Sequence, residues 1–108
     1  MIIHYNKEDG TRVTVRIKEM NQPKPVTLGR GDDASVKIDD AKCSRIHAAI
    51  RFWDDIFVIR DMNSHNGTLL NGEQIEVARV RPGDTIKLGD TELHVAEEIS
   101  SVEATLTL

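Results

Sequence analysis

A single cysteine, Cys43, stands in the 108 residues, so no internal disulfide can form and a reducing compartment fits the chain. No run approaches the ~20 consecutive apolar residues that a membrane-spanning helix needs. The opening Met1-Ile2-Ile3-His4 lacks the basic and apolar regions of a secretory signal. A cytoplasmic location is the expectation. Basic charge is not in excess either: 14 Lys and Arg against 18 Asp and Glu leave a formal net charge of −4. That is the wrong sign for a domain that must displace counterions from nucleic acid. Aromatics are few, at 4% of residues. There is no internal repeat, no low-complexity segment and no convincing amphipathic helix. Paired Cys-x-x-Cys or His-x-x-x-His spacing is missing as well, so neither a metal nor any other cofactor is expected.

What is present suits one soluble domain with one core. The length is that of a single domain, and 39% hydrophobic with 30% charged residues is ordinary for a globular protein. Apolar residues recur with period two in short runs, punctuated by glycine and proline. Strands are predicted over 2–5 and 13–18, then over 26–28 and 36–38 after a loop marked by Pro23 and Pro25. His47 to Trp53 and Ile56 to Asp61 read as a hairpin around Asp54-Asp55. Leu69-Leu70, Val77 to Val80, Ile86 to Leu88 and Thr91 to Ala96 complete about ten short strands, the pattern of a sandwich or barrel. Residues 1–98 are taken as the domain and 99–108 as a C-terminal tail or the start of a linker.

Three polar segments interrupt this pattern at turn-like positions: Gly29-Arg30, Ser44-Arg45-Ile46-His47 and Asn63-Ser64-His65-Asn66-Gly67-Thr68. Between them they offer two guanidiniums, hydroxyls, two imidazoles and several amides, an inventory made mostly of donors. A doubly charged phosphate with its acceptor oxygens is the complement of such a set. A planar guanidinium can hold a phosphate through two parallel charge-assisted bonds. Taken singly, each residue has a plainer reading: Arg30 and Arg45 as solvated surface groups, Ser44 as closing a turn, Asn66-Gly67 as a tight turn. His47, at the head of an apolar strand, is expected to be at least partly buried, bonding backbone rather than shuttling protons. In combination the segments read as a site that binds an anion without transforming it.

The four blocks formed by Gly29-Arg30, Ser44-Arg45-Ile46-His47, Asn63 to Thr68 with Asn71-Gly72, and Arg81-Pro82-Gly83-Asp84-Thr85-Ile86-Lys87-Leu88-Gly89 resemble, in order and spacing, the forkhead-associated (FHA) domain. The resemblance runs from about Ile2 to Glu97. It implies an all-β sandwich of about eleven short strands in two sheets, with loops at one end binding a phosphothreonine peptide. By matching position, Arg30, Ser44 and Arg45 would meet the phosphate, while His65 and Asn66 would lie against the peptide. Gly29, His47, Gly67 and Thr68 would support the site. Two positions depart from the family pattern: many members carry another polar residue at Arg45, and some peptide-binding members carry threonine at His65. The function implied is a non-catalytic, phosphothreonine-dependent protein–protein interaction module in signal transduction. Its partner would be a protein phosphorylated by a Ser/Thr kinase, with neither nucleic acid nor membrane engaged, and further domains can adjoin it in a longer chain.

Rival readings are weaker. Cys43 with His47 lacks the orienting third group of a nucleophile–base pair, and Cys43, His47 and His65 lack zinc spacing. An FHA-fold packing or oligomerisation module that has lost phosphopeptide binding would have no need of both Arg30 and Ser44. In the tail, Leu108 follows Thr105 at the third position, so a phosphorylated Thr105 could dock into a second copy.

Overall fold

Alternating burial along short segments produces eleven strands over residues 1–21 and 23–98, the part of the chain that the computed structural model describes. In chain order these are β1 (Ile2–Asn6), β2 (Arg12–Arg16), β3 (Val26–Gly29), β4 (Val36–Lys37), β5 (Ala48–Trp53), β6 (Ile56–Asp61), β7 (Thr68–Leu70), β8 (Glu73–Ile75), β9 (Val77–Val80), β10 (Thr85–Leu88) and β11 (Thr91–Ala96). One sheet has six strands in the order β2-β1-β11-β10-β7-β8, the other five in the order β4-β3-β5-β6-β9. The short β3–β4 pair is parallel, with Leu28 opposite Val36. The long β5–β6 hairpin runs antiparallel from Trp53 opposite Ile56 to Ala48 opposite Asp61. No helix of the described residues is long and apolar enough to cross a membrane.

The two sheets meet over alternate residues of each strand. Ile3, Ile86, Leu88 and Leu93 of the larger sheet and Leu28, Ile50 and Ile59 of the smaller one are fully buried. Each such side chain contributes roughly 1.5–3 kcal/mol on burial, so the strands can hold the fold while the connecting loops stay polar. Among the described residues the buried polar side chains are His47 and Thr68, both at 0% exposure.

Ten of the strands lie where the periodicity places them, within a residue or two. β5 begins at Ala48, so His47 belongs to the preceding loop, and β7 takes in Thr68. β8 was not expected. It pairs with β7 through Leu70 opposite Glu73, and its exposed Glu73 and Gln74 conceal it from any test of apolar alternation. Residues 99–108, with the tail and Thr105, lie outside the described part.

Candidate functional site

β3 ends at Gly29, and the backbone of residues 44–45 crosses directly over it. A side-chain carbon on Gly29 would run into the carbonyl oxygen of Arg45 and lie 2.9 Å from that of Ser44. Only glycine admits this approach. It allows two segments to zip together: Arg30 N–H donates to Ser44 O at 2.9 Å, Gly31 N–H to Arg45 O at 3.0 Å and His47 N–H to Leu28 O at 2.8 Å. Arg30 Nε donates to Cys43 O at 3.1 Å, which commits one of the five guanidinium donors and leaves four N–H groups on an exposed head.

The third segment is tied to the second from both sides. His65 N–H donates to Ser44 Oγ at 2.9 Å, and Asn66 Nδ2 to Lys42 O at 2.8 Å. Beneath them, His47 Nδ1 accepts from Ser44 N–H at 3.0 Å, so the ring proton sits on Nε2 and is donated to Gly67 O at 2.8 Å. One buried imidazole thus fixes the second segment against the third. Gly67 has φ +86°, a conformation open to glycine at little cost.

A carboxylate that the sequence did not single out anchors this arrangement. Asp61, at the end of β6, accepts from Ser64 Oγ at 2.6 Å, Thr68 Oγ1 at 2.7 Å and Ser64 N–H at 3.1 Å. Burial alone would raise its pKa, but the bonds from Ser64 and Thr68 hold it below the ordinary carboxylate value. Ser64 Oγ in turn accepts from Gly67 N–H at 2.9 Å. The hint in the sequence was slight, a serine three residues after an acid at a strand end. Asp40 plays a similar part nearby, accepting from Lys42 N–H, Asp90 N–H and Thr91 Oγ1 at 2.8–2.9 Å.

All nine residues singled out in the sequence therefore gather at one end of the sandwich. Arg30, Arg45, His65 and Asn66 are exposed, Ser44 and Gly67 are half-buried, and Gly29, His47 and Thr68 lie beneath. Thr68 is spent on Asp61 and faces inward. Cys43 is buried at 2% exposure, and burial, helped by the nearby Asp40 charge, pushes its thiol up to about 12. It stays protonated at neutral pH, and the thiolate is the nucleophilic form.

The family model for the FHA domain matches residues 26–89. The chain belongs to the FHA domain family. FhaA of Mycobacterium tuberculosis is 33% identical to this FHA domain over 88 residues, 82% of this chain but 16% of that protein. The glycogen accumulation regulator GarA of the same organism is 35% identical over 63 residues, 58% of this chain and 39% of that one. The present sequence thus spans a minor part of these relatives. Among solved structures, an FHA domain analysed for its phosphothreonine-dependent interactions superposes with a TM-score of 0.75 at 27% identity, covering 92% of this chain and 97% of the other. The FhaA FHA domain, in complex with the intracellular domain of Rv3910, superposes with a TM-score of 0.74 at 29% identity, covering 86% and 96%.

Proposed function

We propose that this FHA domain binds phosphothreonine-containing peptides, without catalysis, at the loop end of the sandwich. Arg30, Ser44 and Arg45 take the phosphate, and His65 and Asn66 lie along the peptide. The observation that carries this reading is the wiring of Ser44. Its oxygen already accepts from His65 N–H, so its own proton is free to be donated outward, beside a guanidinium with four unspent donors. A phosphate brings nearly two charges and three acceptor oxygens, enough to satisfy both arginines and the hydroxyl together. Each charge-assisted bond is worth roughly 1.5–3 kcal/mol. Ordering a flexible peptide takes back much of that, which leaves affinities of about 1 μM.

The absence of catalysis is supported by Cys43, whose thiol is buried and protonated, and by His47, whose ring nitrogens are both committed to backbone. A cytoplasmic protein phosphorylated by a Ser/Thr kinase is the partner proposed, and residues 1–98 are the binding unit. The test is a fluorescence-polarisation screen of phosphothreonine peptides, with unphosphorylated and phosphoserine versions beside them. Arg30→Ala should weaken binding by about 100-fold, the loss of close to 3 kcal/mol of charge-assisted bonding, with the thermal midpoint nearly unchanged. A variant that binds as tightly as the parent would overturn the assignment, as would equal binding of the unphosphorylated peptides.

A further inference from the structure

The solvent face of the five-stranded sheet carries a second feature, separate from the loop end. Core residues such as Ile50, Ile59 and Val80 mark the inward positions of β5, β6 and β9, so the alternate residues point out. None of those outward positions is acidic, although the chain has 18 Asp and Glu. Three are arginines: Arg51, Arg60 and Arg79. Arg51 and Arg79 flank Val58 in register across three strands, which sets their backbones roughly 10 Å apart. Arg60 lies two residues along from Val58, roughly 7 Å away.

Among the described residues these guanidiniums have no anionic partner. No described carboxylate lies within 4.0 Å of any of them, and Arg51 makes a bond only to Pro23 O, at 3.2 Å. On the outer face of the other sheet, by contrast, Arg16 pairs with Glu98 at 2.8 Å and Arg12 donates to His4. Beside the arginines stand Trp53, 55% exposed, and Val77, 47% exposed. Tryptophan and arginine are the residue types that dominate the centres of protein interfaces. Asp55, Glu97 and Glu98 line the same surface cavity as Arg79 without pairing to it, so the like charges of this face repel each other, a cost that a carboxylate-bearing partner in direct contact would remove.

We infer that this face docks an acidic segment of another protein, with carboxylates on Arg51, Arg60 and Arg79 and an apolar side chain against Trp53. A second copy placed face to face would set arginine on arginine. Nucleic acid, with a phosphate charge about every 1.7 Å of duplex, would outrun a patch of three arginines. The site does not depend on the phosphothreonine reading, since it shares no residue with the loop end.

Trp53 is the only tryptophan in the chain, so its fluorescence reports on this face alone. The probe is the unphosphorylated peptide Glu-Glu-Leu-Glu-Glu-Leu-Glu-Glu, with a control that replaces every glutamate by lysine. The acidic peptide should shift Trp53 emission saturably, salt should weaken it, and the lysine peptide should do nothing. An R51Q/R60Q/R79Q variant, shown to be folded by an unchanged thermal midpoint, should bind the acidic peptide about tenfold more weakly or worse. Equal binding by that variant, or no binding by the parent, overturns the inference. So does a dimer seen in sedimentation that the triple variant abolishes, which would assign the face to self-association. Parent-only binding to phosphatidylserine vesicles with no response to the peptide would assign it to lipid.

Discussion

Three hydrogen bonds end on the Asp61 carboxylate, two of them from hydroxyls, and through Ser64 it reaches the turn that His47 grips. An amide in its place would turn an N–H toward a donor. Asp61→Asn should therefore cost about 1–3 kcal/mol near neutral pH. The pH dependence follows from the direction of the shift. The folded pKa lies below the unfolded value of 3.8, so the carboxylate contributes stability above that value and loses it as pH falls through the folded pKa. Denaturant unfolding of parent and variant should show a gap at neutral pH that narrows as acid protonates the parent below about pH 3.8. A gap that stays constant down to the acid limit would mean that the carboxylate's charge is irrelevant. At this scale the sequence placed Arg30, Ser44 and Asn66 in polar loops at the ends of apolar runs, and those loops fold together. It was not readable for Asp61, because a strand-end acid ordinarily faces water and only folding brings Thr68 to it.

The hairpin turns differ in how well their residues suit them. Asn71 and Gly72 have φ of +51° and +85°, the pairing expected of a two-residue turn whose central residues are both left-handed. Asp54 and Asp55 adopt +52° and +65° in the β5–β6 turn, yet neither is glycine. A left-handed residue with a side chain costs about 1–2 kcal/mol, less for aspartate than for most, and the added freedom of glycine in the unfolded chain offsets part of any gain. Asp55→Gly should still raise stability by about 0.5–1 kcal/mol, several degrees in thermal midpoint for a domain of this size. An unchanged or lowered midpoint would show that the aspartate is held by bonds that outweigh its backbone strain. Elements whose own residues carried the signal were legible in the sequence, including the Asp54-Asp55 hairpin and every strand with an apolar stripe. β8 was not, since an edge strand of three residues with two solvent-facing polar side chains is defined by its pairing with β7.

Across the whole molecule, the family match covers less than the two packed sheets. The match at residues 26–89 leaves out β1, β2 and β11, yet β1 and β11 pair with each other near the centre of the six-stranded sheet, Ile3 opposite Val95. Ile3, Tyr5, Leu93 and Val95 are all buried, and at roughly 1.5–3 kcal/mol each their loss is about 6–12 kcal/mol. A domain of this kind has about 5–15 kcal/mol of stability in total. A fragment of residues 26–89 should therefore fail to fold, although it holds every residue proposed to touch phosphate. A chain ending at Glu98 keeps every core residue of the described part and the Arg16–Glu98 pair, itself worth under about 1 kcal/mol at the surface. It should unfold within about 2 °C of the full chain and bind a phosphothreonine peptide with the same affinity. Calorimetry on the two truncations decides between core and motif as the source of the fold: a folded 26–89 fragment, or a 1–98 chain destabilised by more than about 1 kcal/mol, would show that the buried contacts between β1 and β11 do not set the boundary.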